Sequence, residues 1–463
     1  MMMRGHKIFC IITLVCLLLY PLQQVTRFLP LKPLQGVEEI AERPSFSLSG
    51  CCSGDWQTAA ERHTSRHFGF REWAIRIYNQ YQWTFYRHST VESVMVGKKN
   101  PRSRNGRYLY ERYFVEEYYE SRMYKYTQNA EELLQNFDRE ASRLAKVQQI
   151  LESQGVYLFV VVPPGKEFIY PEYLPSRDTM TRPKGPTAYE SYLPLFGKYG
   201  IRHLDMAAWL CRIKDSVPYQ VMPQTGTHWS NIAATYAFDS IVRYMEQLAG
   251  TDMSDFRLGT PWYDKSRHPD HDLEKLLNLV FPLPSPPDMY LPVEMVQVRP
   301  APRMMVIGDS FFWNIIYNYP LDEIVDWRYW YYYSTVYGPG NYQSSARNCN
   351  LVDELLQSRF VMLNYCTAQL YDLGNGFITD ALLNLCYNPQ QIDSTLDAIM
   401  NSMRNTPQWM ESLHQKSSEK NLPLDSVMLE DAEYLLYQNP EEYLPELRGV
   451  TLPESRNSKL RKP

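Results

Sequence analysis

The triplet Gly308-Asp309-Ser310 closes the apolar run Met304-Met305-Val306-Ile307, and Phe311-Phe312 continue the chain beyond it. A buried parallel strand that ends in a sharp turn presents the next hydroxyl at the rim of its sheet. Gly308 takes such a turn with no Cβ to obstruct it. Ser310 then stands where a helix begins, beside main-chain N–H groups able to hold an oxyanion. Taken alone, a serine there also reads as a helix cap. A nucleophile needs a base, and Thr225-Gly226-Thr227-His228-Trp229-Ser230 offers one in His228. The plainer reading of His228 is a ring packed on Trp229. Together, Ser310 and His228 on two strand-end loops fit a nucleophile and a general base.

Other residues bear on the same chemistry. Asp309 is expected to cap backbone N–H groups rather than to orient His228. Lys166 follows a strand end and either faces the rim, offsetting an oxyanion, or is a solvated surface lysine. Asp270-His271-Asp272 resembles a ligand cluster, but neighbours at a helix start point in different directions, so an N-cap for a helix over Leu273–Leu279 is the reading taken. Trp327-Arg328-Tyr329-Trp330-Tyr331-Tyr332-Tyr333 is the densest aromatic stretch. Read with period two, one face is core; the other, which includes Tyr331, either stacks on sugar rings or packs inward too.

The elements that would hold these residues alternate between helix and strand. Phe70, Trp73, Ala74, Ile77, Tyr81 and Phe85 fall at three- and four-residue steps and predict a helix over 66–87. Residues 91–96 and 107–113 alternate around a polar turn, as in a β-hairpin. A helix over Asn129–Ser153 leads to Val156–Val162, an unbroken apolar run with the length and β-branching of a central parallel strand. A helix over Tyr189–Tyr199 and a strand over Ile201–Asp205 repeat the pattern. An amphipathic helix over Ile232–Leu248 precedes the strand Arg303–Ile307, and Phe360–Asn364 is a further strand. Seven prolines between Pro282 and Pro302 predict a long connection without regular structure. Beyond Gly376 the chain turns helical and polar, with Pro423 splitting the span Thr406–Tyr437. This is an α/β layout with a parallel sheet.

At 463 residues the chain can bury one large core or two modest ones. A net charge of −5 gives no reason to expect a nucleic-acid partner. The eight cysteines show no metal-ligand spacing, and Cys211, Cys349, Cys366 and Cys386 read as apolar residues. No metal site and no cofactor is read. Residues Ile8–Tyr20 are almost wholly apolar and follow Arg4, His6 and Lys7, which reads as a signal peptide or short signal anchor over 1–25, with a tether over 26–50. An anchor of this kind would export the bulk of the chain and hold it at the cytoplasmic membrane.

The His228-Trp229 pair, the Gly308-Asp309-Ser310 strand end and Val160-Val161-Val162-Pro163-Pro164-Gly165-Lys166-Glu167 resemble the SGNH-hydrolase-like domain of alginate O-acetyltransferases, the AlgX and AlgJ group. Phe68-Gly69-Phe70-Arg71, Ile75-Arg76-Ile77-Tyr78-Asn79-Gln80, Ile169-Tyr170-Pro171-Glu172 and Gly374-Asn375-Gly376-Phe377-Ile378 add to the match, and the order of motifs agrees over about residues 50–380. The resemblance implies a three-layer α/β/α domain over 51–380 with a helical C-terminal extension over 381–463. It also implies a periplasmic enzyme that moves an acetyl group onto a polysaccharide hydroxyl. Ser310 would carry the acetyl group and His228 would activate first Ser310 and then the sugar hydroxyl. The donor would come from a separate membrane-bound O-acyltransferase. Lys166, Trp229 and Tyr331 would face substrate. One position departs from the family pattern Asp-x-His-Trp, because Gly226 stands where the Asp orients the His. Asp205, at the end of its strand, takes that role, or no residue does and Asp205 is a plain strand-end residue. Two rival functions stay open: an esterase that removes acetyl groups with the same residues, and a non-catalytic glycan-binding or assembly subunit.

Overall fold

The computed structural model describes residues 42–444, apart from 67–68, 105, 121–129 and 176–185, together with isolated positions before residue 42. The apolar run Ile8–Tyr20 lies largely outside the described residues, and Glu454–Pro463 lies wholly outside them. Among the described residues, no helix is long and apolar enough to cross a membrane.

In chain order the elements that build the site are α1 (Arg71–Tyr81), the hairpin β1 (Val94–Lys99) and β2 (Arg107–Glu111), α2 (Ala130–Ser153), β3 (Tyr157–Val161), α3 (Ala188–Tyr199), β4 (His203–Leu204), α4 (Met206–Ile213) and α5 (Asn231–Ala249). Then come β5 (Asp255–Leu258), β6 (Trp262–Asp264), α6 (Asp272–Leu276), β7 (Asp288–Tyr290), β8 (Val293–Gln297), β9 (Arg303–Gly308) and α7 (Trp313–Asn318). The chain ends in β10 (Asp326–Tyr331), β11 (Thr335–Gly338), β12 (Tyr342–Ser345), α8 (Leu351–Gln357), β13 (Phe360–Asn364), α9 (Phe377–Cys386), α10 (Pro389–Arg404), α11 (Pro407–Lys420) and α12 (Leu424–Gln438).

The main sheet has seven strands in the order β12-β11-β10-β9-β13-β3-β4. The five from β10 to β4 run parallel, and β11 and β12 close one edge as an antiparallel pair. From β3 the chain moves outward to β4; it later enters at β9, continues to β10, and returns last to insert β13 between β9 and β3. That reversal of direction is a topological switch point, and open α/β sheets hold their ligands at the carboxyl ends of the strands there.

Period-two alternation gives each central strand two apolar faces. Phe159, Val161, Met304, Val306, Phe360 and Met362 join α5, through Ala233, Ala237 and Phe238, in one core. Leu158, Val160, Met305, Ile307, Val361 and Leu363 join α2, α3 and α9 in the other. Burial on both faces explains why these strands read as unbroken apolar runs. The result is the α/β/α fold expected from the sequence. A third core unites α9 with α10, α11 and α12 through Leu383, Leu396, Leu413 and Leu436. Position 380 falls inside α9, so the helical extension grows out of the last helix of the sheet domain.

Several elements differ from expectation. The strand sought over Ile201–Asp205 pairs only at His203 and Leu204, because Asp205 leaves the ladder to cap α4. The proline-rich stretch holds two short strands, β7 and β8, which pair antiparallel with β6 and β5; its prolines flank those strands rather than interrupt them. The helix sought over 66–87 runs as α1 and then one π turn, Gln82–Tyr86. Its expected stripe is turned outward, with Ile77 59% and Phe85 69% exposed, and Trp83 goes inward instead.

Candidate active site

Strand β9 delivers Gly308 against Asn364 of β13, where a Cβ on Gly308 would lie 2.5 Å from the Asn364 carbonyl oxygen. Close approach of two strands, and not an unusual backbone angle, therefore calls for glycine here. Asp309 is fully buried. Its Oδ1 accepts the Phe311 N–H at 3.1 Å and its Oδ2 accepts the Cys366 N–H at 2.7 Å, so it ties the turn after β9 to the turn after β13. Burial pushes its carboxyl up, against the pull of those N–H donors and of His228. The capping role read for Asp309 matches this geometry. Ser310 opens the single 3-10 turn Ser310–Phe312.

His228 lies just ahead of α5, whose N-cap is Ser230. The Ser310 hydroxyl donates to His228 Nε2 at 2.9 Å. On the other side of the ring, Nδ1–H donates to Asp272 Oδ2 at 2.8 Å. The ring leans edge-on against Phe311, with centroids 5.0 Å apart. Asp272, the first residue of α6, also accepts the Thr227 N–H at 2.7 Å through Oδ1. Burial alone would lower the His228 pKa; the hydrogen bond and charge of Asp272, with Glu111 and Asp309, outweigh it and hold the imidazole above its ordinary value. Burial would raise Asp272, but His228, the Thr227 N–H and Lys166 hold it below the usual carboxylate range.

Asp205 is not the third member of this arrangement. Its Oδ1 accepts the Ala208 N–H at 2.8 Å and its Oδ2 accepts the Tyr189 hydroxyl at 2.8 Å. The sequence reading assigned Asp270-His271-Asp272 to a helix cap, and the carboxylate beside His228 comes from that cluster. The departure at Gly226 has a steric cause. A Cβ at Gly226 would lie 2.6 Å from the Asp270 carbonyl oxygen. The segment that brings Asp272 to His228 thus occupies the space a side chain at 226 would need.

Glu111 is the last residue of β2. Burial pushes its pKa up, His228 pulls it back, and Asp272 adds to the rise. Nothing in the sequence of β2 marks this residue, since a strand-end glutamate is ordinary.

The three residues expected to face substrate have different fates. Trp229 is fully buried and packs on Phe311 with centroids 5.9 Å apart, so its ring is core and not a sugar platform. Lys166 is buried as well, with Nζ donating to the carbonyl oxygens of Leu109 at 2.8 Å, Gln224 at 3.3 Å, and Gly226. Burial pushes its pKa down to about 7, while Asp272, Glu167 and Asp288 push back. Its donors are spent on main chain, so it neither faces the rim nor meets bulk solvent. Tyr331, at the end of β10, is partly exposed among Trp313, Tyr332 and Tyr337. Burial and the Asp309 charge raise its pKa, and in the sheet it pairs with Gly308, two residues before Ser310. Among the described residues no cluster of His, Cys, Asp and Glu suits a metal ion.

Residues 119–320 match the family described as the SGNH hydrolase-like domain of the acetyltransferase AlgX. That stretch contains His228, Asp272 and Ser310. No curated protein matches the chain. Among solved structures, the chain is similar to the O-acetyltransferase domain of Pseudomonas putida AlgJ, with 18% identity, 65% of this chain and 98% of that one covered, and a TM-score of 0.39. It is similar to Pseudomonas aeruginosa AlgX at 14% identity, covering 55% of this chain and 61% of that one, with a TM-score of 0.35. Bacillus cereus PatB1 is similar at 13% identity, covering 51% and 91%, with a TM-score of 0.36.

Proposed function

We propose, for a chain that carries the SGNH hydrolase-like domain of the AlgX acetyltransferases over residues 119–320, that it transfers an acetyl group to a hydroxyl of an exported polysaccharide through an acetyl-Ser310 intermediate. The observation that supports this reading is the hydrogen-bonded series Ser310–His228–Asp272 at the carboxyl edge of the sheet. The Asp272 carboxylate keeps the proton on His228 Nδ1, which leaves the Nε2 lone pair for the Ser310 hydroxyl.

In the first half-reaction Ser310 Oγ attacks the donor's acetyl carbonyl and its proton passes to His228 Nε2. The bond from the carbonyl to the donor oxygen breaks, and that oxygen leaves with the proton from His228. In the second, a sugar hydroxyl gives its proton to His228 and attacks acetyl-Ser310, and the proton returns to Ser310 as the ester breaks. Asp272 stabilises the imidazolium in both halves, and general-base help of this kind contributes about 10²–10⁴-fold. In this reading Tyr331, which pairs with Gly308 at the end of β10, contacts the acceptor.

The basic and apolar start of the sequence supports a location outside the cytoplasmic membrane, tethered to it. In this reading a membrane-bound O-acyltransferase delivers the acetyl group. The test is to give the purified protein an aryl acetate with and without an oligosaccharide acceptor. Acetylated acceptor that disappears in Ser310→Ala and His228→Ala supports transfer. Acetate release that ignores the acceptor means an esterase, and no turnover of any kind means a glycan-binding subunit.

A further inference from the structure

The Gly226–Thr227 peptide is gripped at both ends. Its carbonyl oxygen accepts from Lys166 Nζ, and its N–H donates to Asp272 Oδ1 at 2.7 Å. A trans peptide is planar, with C=O and N–H pointing in opposite directions. A donor fixed on one side and an acceptor fixed on the other therefore set its orientation. The same ammonium also holds the Gln224 carbonyl, and the Leu109 carbonyl anchors it to β2. Nζ thus meets three carbonyl acceptors. Among the described residues it forms no ion pair with a carboxylate. Tyr110 lies beneath it, 5.8 Å from Nζ to the ring centroid.

Asp272 uses its two oxygens on two adjacent residues. Oδ1 takes the Thr227 N–H, together with the N–H of Leu273 on its own helix at 2.7 Å, and Oδ2 takes the His228 ring. If the Gly226–Thr227 peptide turned over, Oδ1 would keep the Leu273 N–H but face a carbonyl oxygen in place of the Thr227 N–H, and that repulsion would turn the carboxylate away from His228. Glycine ahead of that peptide makes such a turn easy. A buried Nζ donor on the carbonyl opposes it, and also polarises the peptide so that its N–H donates more strongly.

We propose that Lys166 is a positioning residue for His228, acting through the Gly226–Thr227 peptide and the Asp272 carboxylate rather than on substrate. This rests on the catalytic reading of His228, but the geometry is testable without turnover. In Lys166→Met the Thr227 amide loses its protection from hydrogen exchange, while the amides of Val160, Ile307 and Met362 in the central strands keep theirs. With an aryl acetate, kcat falls by about 10²-fold, as expected for a misplaced base, with KM little changed. The acid limb of the pH profile moves to lower pH as His228 loses its carboxylate. Should Lys166→Met not fold, Lys166→Gln takes its place with the same readouts. In whichever variant folds, Thr227 protection and an acid limb both unchanged from the wild type overturn the proposal. A wild-type protein that turns over no ester leaves the exchange result to decide the positioning role by itself, and defeats the acyl-transfer reading instead.

Discussion

Asp272 Oδ2 sits 2.8 Å from His228 Nδ1 across 44 residues of sequence, on the ring nitrogen that Gly226, two residues before the histidine, has no side chain to reach. Asp272→Asn is expected to lower kcat with an aryl acetate by about 10²–10⁴-fold, since an amide no longer fixes the tautomer. Asp205→Asn should leave kcat within a few-fold and cost at most about 1 kcal/mol through its helix cap. Steady-state kinetics on both variants checks the pair, and the opposite ranking would return the third role to Asp205.

The base must be unprotonated to take the Ser310 proton. Because Asp272, Glu111 and Asp309 hold the His228 pKa above its ordinary value, kcat/KM should rise with pH along a limb centred above about 6.5. Glu111→Gln removes one of the negative charges that stabilise the imidazolium, so its limb should move to lower pH while the plateau is largely kept. A limb that moves to higher pH would mean that Glu111 does not act on His228.

Placing a carboxylate at position 226 should fail to replace Asp272. Gly226→Asp puts a Cβ 2.6 Å from the Asp270 carbonyl oxygen and 3.0 Å from Pro223 Cγ, and the Asp270 backbone has little room to yield. The substitution should cost about 1–3 kcal/mol, as overpacking does, and should not rescue Asp272→Asn. Thermal melts and kinetics of the double variant test this; rescue would show that the loop can re-form around a carboxylate at 226.

Trp229 and Tyr331 should separate stability from acceptor binding. Trp229→Ala removes a fully buried ring and should cost about 3–5 kcal/mol. Tyr331→Ala removes a partly exposed ring on the rim. It should raise KM for an oligosaccharide acceptor while leaving the melting temperature and aryl-acetate hydrolysis near wild type.

Much of this architecture is legible in the sequence. Tyr157–Val161, Arg303–Gly308 and Phe360–Asn364 are buried on both faces, so they announce themselves as apolar runs, and Gly308-Asp309-Ser310 marks the strand end that carries the hydroxyl. His228 is legible as a loop histidine just ahead of a helix. Asp272 is not, because its pairing with His228 depends on where the 270–276 segment packs, and no local pattern encodes that. Lys166 misleads for a related reason: position after a strand says nothing about whether the side chain turns out to the rim or in toward three carbonyls. Trp229 and the outward stripe of α1 show the same limit, since periodicity tells which residues share a face but not what that face meets.

Mass spectrometry of the protein quenched during turnover of an aryl acetate tests the central claim most directly. The account predicts one acetyl group on the peptide that contains Ser310, accumulating in the wild type and strongly reduced in both His228→Ala and Asp272→Asn. Acetyl found only elsewhere, or found on Ser310 at the wild-type rate in His228→Ala, would contradict it.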